Sequence, residues 1–201
     1  MFITIVGLPL PIRFRPDTPM SDDELLRFCS ANELLHVERQ SDGQIRLKLI
    51  AGCQASLWNV EIISQLCDWA KKDGRGETFA NAGFSLPDGS MFGAYAAWME
   101  NFRWNALNEQ QREGFAPTSP DFVIELCSPF DKLSELQEKM ELWIANGVQL
   151  AWLIDPLGQS IYIYHSGQTS ERLNGPVLVR GVGVMAGFEL ETSSLYQTNQ
   201  I

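Results

Sequence analysis

A single carboxylate interrupts the most apolar strand-like segment of the chain. Glu125 lies within residues 122–126, Phe-Val-Ile-Glu-Leu, a run that predicts a strand buried on both faces. A buried carboxylate without a partner costs several kcal/mol, so it needs a cation, a hydrogen-bond donor or a proton. Another part of the fold is therefore expected to meet Glu125.

The nearest groups that could complete such a site are a thiol and a lysine. Glu125 and Cys127 are two apart on the strand, so they share a face about 6.6 Å from each other. An acid-x-lysine strand uses this spacing to place a metal-binding carboxylate beside a cation, but Cys127 is not a cation. Lys139 borders the apolar stripe of the next helix, and its stem could bring the ammonium group to Glu125. The alternative is a solvated lysine paired with Glu135 or Glu138.

Three further acids have structural explanations. Glu61 could approach the sheet from an earlier helix, or it could be an exposed first-turn acid favoured by the helix dipole. Asp121 lies about 13 Å along the strand from Glu125, too far to share one ion, and with Pro120 it indicates a strand entrance. Asp88-Gly89 predicts a type I′ hairpin turn.

These residues need a scaffold, which hydrophobic periodicity and turn residues predict. The expected elements are a helix at 21–31 capped by Ser21, a hairpin at 35–50, a helix at 58–71, a hairpin at 79–98, a central strand at 122–127, a helix from an Asp131 cap to about 146, and strands at 150–154 and 161–164. Residues 2–7 are expected to be an edge strand or arm, and residues 101–119 a mobile or partly helical excursion. This order predicts an α/β fold, bordering on α+β, with a mixed β-sheet flanked by helices.

Composition narrows the functional classes. The 201 residues, 45% hydrophobic, predict a single domain spanning 1–201. The net charge of −10 disfavours DNA and an anionic membrane as partners. Four cysteines without a CxxC pair, and two histidines, argue against a Cys/His metal site and indicate reduced thiols in the cytoplasm. The apolar start lacks a basic region and contains early prolines, so neither a signal peptide nor a membrane span is expected.

Several spaced blocks closely resemble one family. Residues 120–129, Lys139, residues 146–148 and residues 152–156 are similar to the Uma-type putative restriction endonuclease family of the PD-(D/E)XK nuclease superfamily. The blocks that agree in the same order are 20–24, 38–43, 59–61 and 83–90. The resemblance covers about residues 19–190. It implies a restriction-endonuclease-like core and a magnesium-dependent site for phosphodiester hydrolysis, in which Glu61 and Glu125 match metal-site acids and Lys139 matches a conserved lysine.

The departures from this family pattern fall within the implied site. An ungapped count from Gly83 places Ala94-Tyr95 where the family has a proline and the aspartate that is its principal metal ligand. Cys127 stands where related sequences commonly have a basic residue, and the glycine-rich basic stretch is eroded at residues 51–58. A neutral phenol cannot replace a carboxylate as ligand to a hard cation without loss of charge. Tyr95 could instead donate a hydrogen bond to Glu125, with Lys139 supplying the charge.

These observations lead to three functional hypotheses. The favoured one is a nuclease-fold protein with a degenerate metal site, impaired in catalysis, holding magnesium weakly or not at all and acting in binding, regulation or assembly. The alternative is an active magnesium-dependent DNA endonuclease with relocated ligands, for which Glu38, Glu61 and Glu125 are candidates. A third is a dimerising domain of unknown role, whose partner is a second copy or a family member. Exposed aromatic residues among Trp98, Phe102 and Trp104 are the feature to examine for it.

Overall fold

The computed structural model describes residues 11–196, and its main feature is a nine-stranded mixed sheet. The strands are β1 (Ile12–Phe14), β2 (Leu35–Arg39), β3 (Ile45–Leu49), β4 (Gly76–Ser85), β5 (Met91–Glu100), β6 (Phe122–Leu126), β7 (Leu150–Asp155), β8 (Ser160–His165) and β9 (Glu171–Asn174), with β10 (Leu178–Arg180) and β11 (Glu189–Glu191) forming a separate hairpin. The helices are α1 (Asp22–Ala31), α2 (Cys53–Asp73), α3 (Asn101–Asn105), α4 (Glu109–Glu113) and α5 (Leu133–Ala145). The arm predicted at residues 2–7 lies outside the described residues.

The sheet combines a parallel unit with antiparallel hairpins. Its order is β1-β3-β2-β5-β6-β7-β8-β9, and β4 pairs along the other edge of β5. β6 and β7 are parallel and are connected through α5, whereas the other pairings between the named strands of residues 11–196 are antiparallel. A single parallel bridge joins Phe84 to Ala116. The prediction of a mixed α/β sheet with flanking helices is confirmed.

Helices α2 and α5 cover opposite faces of the sheet. Ile124 and Leu126 of β6 pack in one cluster with the buried residues of α2, while Val123 and Cys127 pack in the other with α5. The buried residues of α2 are Ala55, Trp58, Ile62, Leu66 and Ala70, spaced three or four apart as one helical face. Because side chains alternate along a strand, Glu125 must face α5.

The edge of β5 that faces the centre of the sheet is divided between two partners. Met91 pairs with Arg39 of β2, and Ala96 to Trp98 pair with β6. In the described part of the chain, residues 92–95 have no ladder partner on this edge. We call this opening the strand gap. Its backbone groups must find partners other than a neighbouring strand.

Two predicted helix starts are wrong. α2 begins at Cys53 behind an N-cap at Gly52, five residues before the expected start at Trp58. α5 begins at Leu133 with Lys132 in the N-cap position, so Asp131 does not cap it. The Asp131 carboxylate instead accepts hydrogen bonds from the amide and hydroxyl of Ser128, which is a local turn contact that competes with helix capping.

The β4–β5 hairpin forms, but not through the predicted type I′ turn. That turn needs positive φ at both central residues, and Gly89 has φ +86° whereas Asp88 is not among the residues with positive φ. The Gly89 amide donates to the Leu86 carbonyl, and Asp88 accepts from Ser90. The capping box of α1 is confirmed at Ser21 and Glu24.

The segment at residues 101–119 is partly helical, as predicted, and Asp121 stands at the entrance of β6. The Asp121 carboxylate is buried and accepts from Arg103, from Gln149 and from the Glu100 amide. These contacts tie α3 to the beginning of β6. Within residues 11–196, no helix has the length and apolar character needed to cross a membrane.

The packing of α2 can be tested with one substitution at two positions. Leu66 is fully buried against the sheet, whereas Leu57 on the same helix is 65% exposed. Leu66→Ala should lower the free energy of unfolding by about 2–5 kcal/mol through lost burial and a cavity, and Leu57→Ala by about 0.5 kcal/mol or less. Urea unfolding of both variants measures the difference, and equal losses would contradict this packing of α2.

Candidate functional site

Helix α5 places a lysine ammonium group at the strand gap. The Lys139 Nζ lies 2.7 Å from Glu125 Oε1, 2.6 Å from Glu38 Oε1 and 2.7 Å from the Gly93 carbonyl oxygen. An ammonium group has three protons to donate, so all three are used. The side chain is 8% exposed. Lys139 thus joins β2, β5 and β6 at the point where the strands are not paired.

Glu125 receives a second donor from the same helix. The Trp143 indole Nε1 donates to Glu125 Oε1 at 3.0 Å. Because Trp143 follows Lys139 by four residues, both side chains lie on one face of α5. The predicted contact between Glu125 and Lys139 is therefore present, and Trp143 is a partner that the sequence did not identify. The expected hydrogen bond from Tyr95 is absent among the described residues, because Lys139 and Trp143 supply the donors.

Glu38 continues the ion pairs away from the gap. It is the cross-strand partner of Arg46 in the β2–β3 hairpin, and Arg46 Nη1 lies 3.8 Å from Glu38 Oε2. Arg46 Nη2 also approaches Glu135 Oε2 at 2.5 Å, and Arg13 contacts the same oxygen at 2.8 Å. Glu135, on the first turn of α5, is thus paired with arginines rather than with Lys139.

A second ion pair lies near the start of α5. Lys48 is paired with Asp131, whose carboxylate also accepts from Ser128. His36 faces Lys48 across the β2–β3 ladder. The alternating residues 36 and 38 on β2 and 46 and 48 on β3 therefore carry the polar groups of this region on one face of the hairpin.

The pKa shifts follow from burial and from these pairs. Burial raises the pKa of Glu125 by more than Lys139 lowers it. Burial also acts to raise the pKa of Glu38, but Lys139, Lys48 and Arg46 together hold it below its usual range. Burial alone would lower the pKa of Lys139, whereas the carboxylates of Glu125 and Glu38 raise it. Lys139 stays cationic, and Glu38 is its more strongly ionised partner.

The ion pairs form the wall of a cavity of about 500 Å³. Its charged lining residues are Glu38, Glu125, Asp131 and Glu135 with Arg46, Lys48, Lys132 and Lys139. The four formal negative charges and four formal positive charges cancel, so the net charge of −10 arises elsewhere on the chain. Apolar side chains at the same cavity include Leu49, Ile50 and Phe130, of which Phe130 is 88% exposed.

Tyr95 lies in this cavity beside another ring. The Tyr95 and His36 ring centroids are 6.5 Å apart with planes inclined by 23°. Burial, with Asp131 and Glu125 nearby, raises the pKa of Tyr95 to about 12. Burial lowers the pKa of His36. Both rings are therefore uncharged at neutral pH, and the position expected to carry an aspartate carries no charge.

Two other candidate residues do not contribute charge near Lys139. Glu61 accepts a hydrogen bond from Gln65 and belongs to α2, which covers the face opposite α5, and it does not line the cavity. No contact of Glu61 with Glu125 or Lys139 is present among the described residues, and its predicted place in the metal site stays a prediction. Cys127 is buried, and its burial raises the pKa of the thiol to about 12, so it is neutral.

The carboxylates that meet at Lys139 come from two residues, Glu38 and Glu125. Among residues 11–196, no three His, Cys, Asp or Glu side chains are grouped so that they could hold a metal ion. Magnesium requires near-octahedral oxygen ligands at about 2.0–2.1 Å. The position between the Glu38 and Glu125 oxygens is taken by the Lys139 ammonium group.

Comparisons with known proteins agree with this fold. A profile of the Uma2 family, described as putative restriction endonuclease, matches residues 22–193. This chain belongs to the Uma2 family. A crystal structure of a putative nuclease belonging to DUF820 from Anabaena variabilis ATCC 29413 is similar, with a TM-score of 0.73 and 21% sequence identity over 89% of this chain and 98% of that chain. At this identity the likeness shows the fold alone. A search among curated proteins found no match.

Membership of the Uma2 family confirms the family resemblance. The family match does not describe the contacts around Lys139, which come from the structure of this chain. Sequence reasoning missed Trp143 as a partner of Glu125, and it missed three polar residues of the same cavity, Arg46, Lys48 and His36. The β2–β3 alternation carried a signal for three of them, since polar side chains recur on one face of a hairpin whose other face is apolar. A tryptophan on an apolar helical stripe carries no such signal.

The bridging role of Lys139 predicts a pH-dependent loss of stability. Lys139→Met leaves Glu38 and Glu125 buried without their cation, which should lower the free energy of unfolding by about 3–5 kcal/mol at pH 7.5. Without the lysine, Glu38 and Glu125 should have folded-state pKa values above their unfolded-state values. The free energy of unfolding should therefore recover as the pH falls through the folded-state pKa values. Urea unfolding at pH 7.5 and pH 5 measures this recovery.

Lys132→Met serves as the matched control, because Lys132 is 75% exposed and contacts Glu135 only at 3.6 Å. It should change stability by about 0.5 kcal/mol or less at both pH values. A Lys139→Met penalty that is small, or that does not shrink at pH 5, would contradict the bridging role.

Proposed function

We propose that this Uma2-family chain is one restriction-endonuclease-like domain over residues 1–201 whose metal site has become a structural ion-pair centre. In this proposal the protein acts through binding or regulation rather than through phosphodiester hydrolysis. The observation that carries the proposal is the position of Lys139 Nζ between Glu38 and Glu125, at 2.6 and 2.7 Å.

The charge balance around Lys139 supports the loss of metal-dependent cleavage. In metal-assisted phosphodiester hydrolysis, the ion activates the attacking water and offsets charge on the phosphate. Here the buried ammonium group already neutralises part of the carboxylate charge that would attract a divalent ion. A metal would have to displace Lys139 from three acceptors, or lie beside a buried cation of like charge. Tyr95 adds no carboxylate to favour that exchange.

The distribution of charge also argues against duplex DNA as the main partner. The cavity is formally neutral, and the remainder of the chain carries the excess of acidic residues. Proteins that bind DNA gain affinity from basic groups that release counterions from phosphates. A binding role therefore favours partners that do not depend on a polyphosphate backbone, including a second copy or another family member.

The alternative, an active magnesium-dependent DNA endonuclease, has one observation in its favour. Glu38 and Glu125 do converge, since an oxygen of each lies within 2.7 Å of the same nitrogen atom. The proposed relocated set, however, also needed Glu61, which belongs to the helix on the opposite face. Cleavage through two carboxylates would require Lys139 to leave its position.

A cleavage assay separates the two functions. The purified protein is incubated with supercoiled plasmid, linear duplex and single-stranded DNA in magnesium or manganese, beside an EDTA control. We expect the wild-type protein and Glu125→Ala to give the same background, because the site lacks charge to hold the ion. Metal-dependent cleavage by the wild type that disappears in Glu125→Ala would establish the alternative and end the proposal.

Metal binding gives a second test at the substituted position. Tyr95→Asp adds a carboxylate to Glu38 and Glu125, whereas Tyr95→Asn adds a side chain of the same shape without charge. We expect Tyr95→Asp to bind Mn²⁺ about tenfold or more tightly than the wild type, and Tyr95→Asn to bind no more tightly than the wild type. Isothermal titration and Mn²⁺ EPR measure the affinities. Wild-type affinity equal to that of Tyr95→Asp would show that Tyr95 is not the missing ligand.

A further inference from the structure

The cations of the cavity are already engaged by protein groups. Lys139 is bound to two carboxylates and a carbonyl, Arg46 to Glu135, and Lys48 to Asp131. Lys132 is exposed at the rim and contacts Glu135 at 3.6 Å. A phosphate entering the cavity would have to replace a carboxylate in one of the buried pairs. The cavity is therefore poorly suited to an anionic ligand.

Three neutral polar side chains of the cavity remain available. His36, Asn81 and Tyr95 line it, and none of them makes a side-chain hydrogen bond within the described part of the chain. Imidazole and carboxamide each offer a donor and an acceptor, and a phenol hydroxyl can do either. Asn81 has φ +51°, a backbone conformation uncommon for a residue with a side chain, and it lies between two paired positions of the β4–β5 ladder, Ala80 with Ala96 and Ala82 with Ala94.

The remaining lining favours a flat and partly apolar ligand. The Tyr95 and His36 rings are nearly parallel, and Leu49, Ile50 and Phe130 add apolar surface at the same cavity. Ligand cavities are typically about 300–1,000 Å³, apolar for the most part, with a few polar groups that orient the ligand. A cavity of about 500 Å³ is within this range.

We propose that the cavity binds an uncharged planar heterocycle of nucleobase size, through stacking on the aromatic rings and hydrogen bonds to Tyr95, His36 and Asn81. The ligand is either a free nucleoside or an unpaired base of a nucleic acid strand, since both present the same ring. This inference rests on the proposed binding function and names its ligand class. Stacking of a base on an aromatic side chain is independent of sequence and of phosphate contacts.

The experiment titrates the wild-type protein with adenosine, guanosine, cytidine and uridine, and with their 5′-monophosphates. Binding is followed by saturation-transfer NMR and isothermal titration. We expect at least one nucleoside to bind with a Kd on the order of 0.1 mM, and its monophosphate to bind no more tightly. Two further titrations use a short single-stranded oligonucleotide and the fully paired duplex of the same sequence. If the ligand is an unpaired base of a nucleic acid, the single strand should bind more tightly than the duplex.

Variants locate the binding. Tyr95→Ala and His36→Ala should each weaken nucleoside binding about tenfold, in line with the loss of one stacking or hydrogen-bonding partner. Tyr95→Phe keeps the ring and should lose less nucleoside affinity than Tyr95→Ala. Because Tyr95→Phe disturbs packing least, it separates a loss of binding from a folding defect. Tyr162→Phe is the control, because Tyr162 lies on β8 beside Arg172 and does not line the cavity.

Several outcomes would overturn the inference. They are no nucleoside binding at 50 times the expected Kd of about 0.1 mM, tighter binding of the monophosphates, or binding that is unchanged in both alanine variants. None of these results depends on metal or on cleavage. Failure of the nucleobase inference is therefore distinguishable from failure of the proposed non-hydrolytic function, which the cleavage assay decides.

Discussion

The rest of this structure depends on one buried ammonium group that replaces hydrogen bonds the sheet cannot make. Where β2 and β6 part along the edge of β5, the Gly93 carbonyl and two largely buried carboxylates are left without a strand partner at the wall of the cavity. Lys139 has three protons in a tetrahedral arrangement, and each meets one of these acceptors. The opening in the sheet is thus held at a definite width by a side chain from the covering helix.

The same groups can serve catalysis or structure, and the balance of charge decides between them. With an aspartate at position 95, three acids would face one lysine, and the excess negative charge would favour a divalent ion. With Tyr95, two acids face Lys139, while Arg46 and Lys48 are close to Glu38. The local charge is then satisfied from within the protein. Under the proposed function, the residue at position 95 therefore decides which cation the site prefers.

The sequence predicts the long helices and strands and the pairing of Glu125 with Lys139. It does not predict features that are determined by tertiary packing. The capping box at Ser21, the buried strand around Glu125 and the contact with Lys139 each have a local physical signal. The strands β1, β9, β10 and β11 were not predicted, because three or four half-exposed residues show no usable alternation. The role of Glu61 stays a prediction, because helical periodicity gives the buried face of a helix but not the side of the sheet it covers. The position of Glu38 beside Lys139 depends on the register of the β2–β3 hairpin, and the turn sets that register.

The contacts that hold the strand gap make no use of the side chain at position 95. Lys139 binds Glu38, Glu125 and a backbone carbonyl, whereas Tyr95 packs against the apolar cluster on the α2 face and lies beside the His36 ring. Aspartate and tyrosine codons differ at a single nucleotide. A single base change therefore separates the two residues, and the three contacts of Lys139 use neither of their side chains. Under the proposed function, the metal chemistry and its loss are therefore one base change apart, while the ion pairs of Lys139 are common to both states.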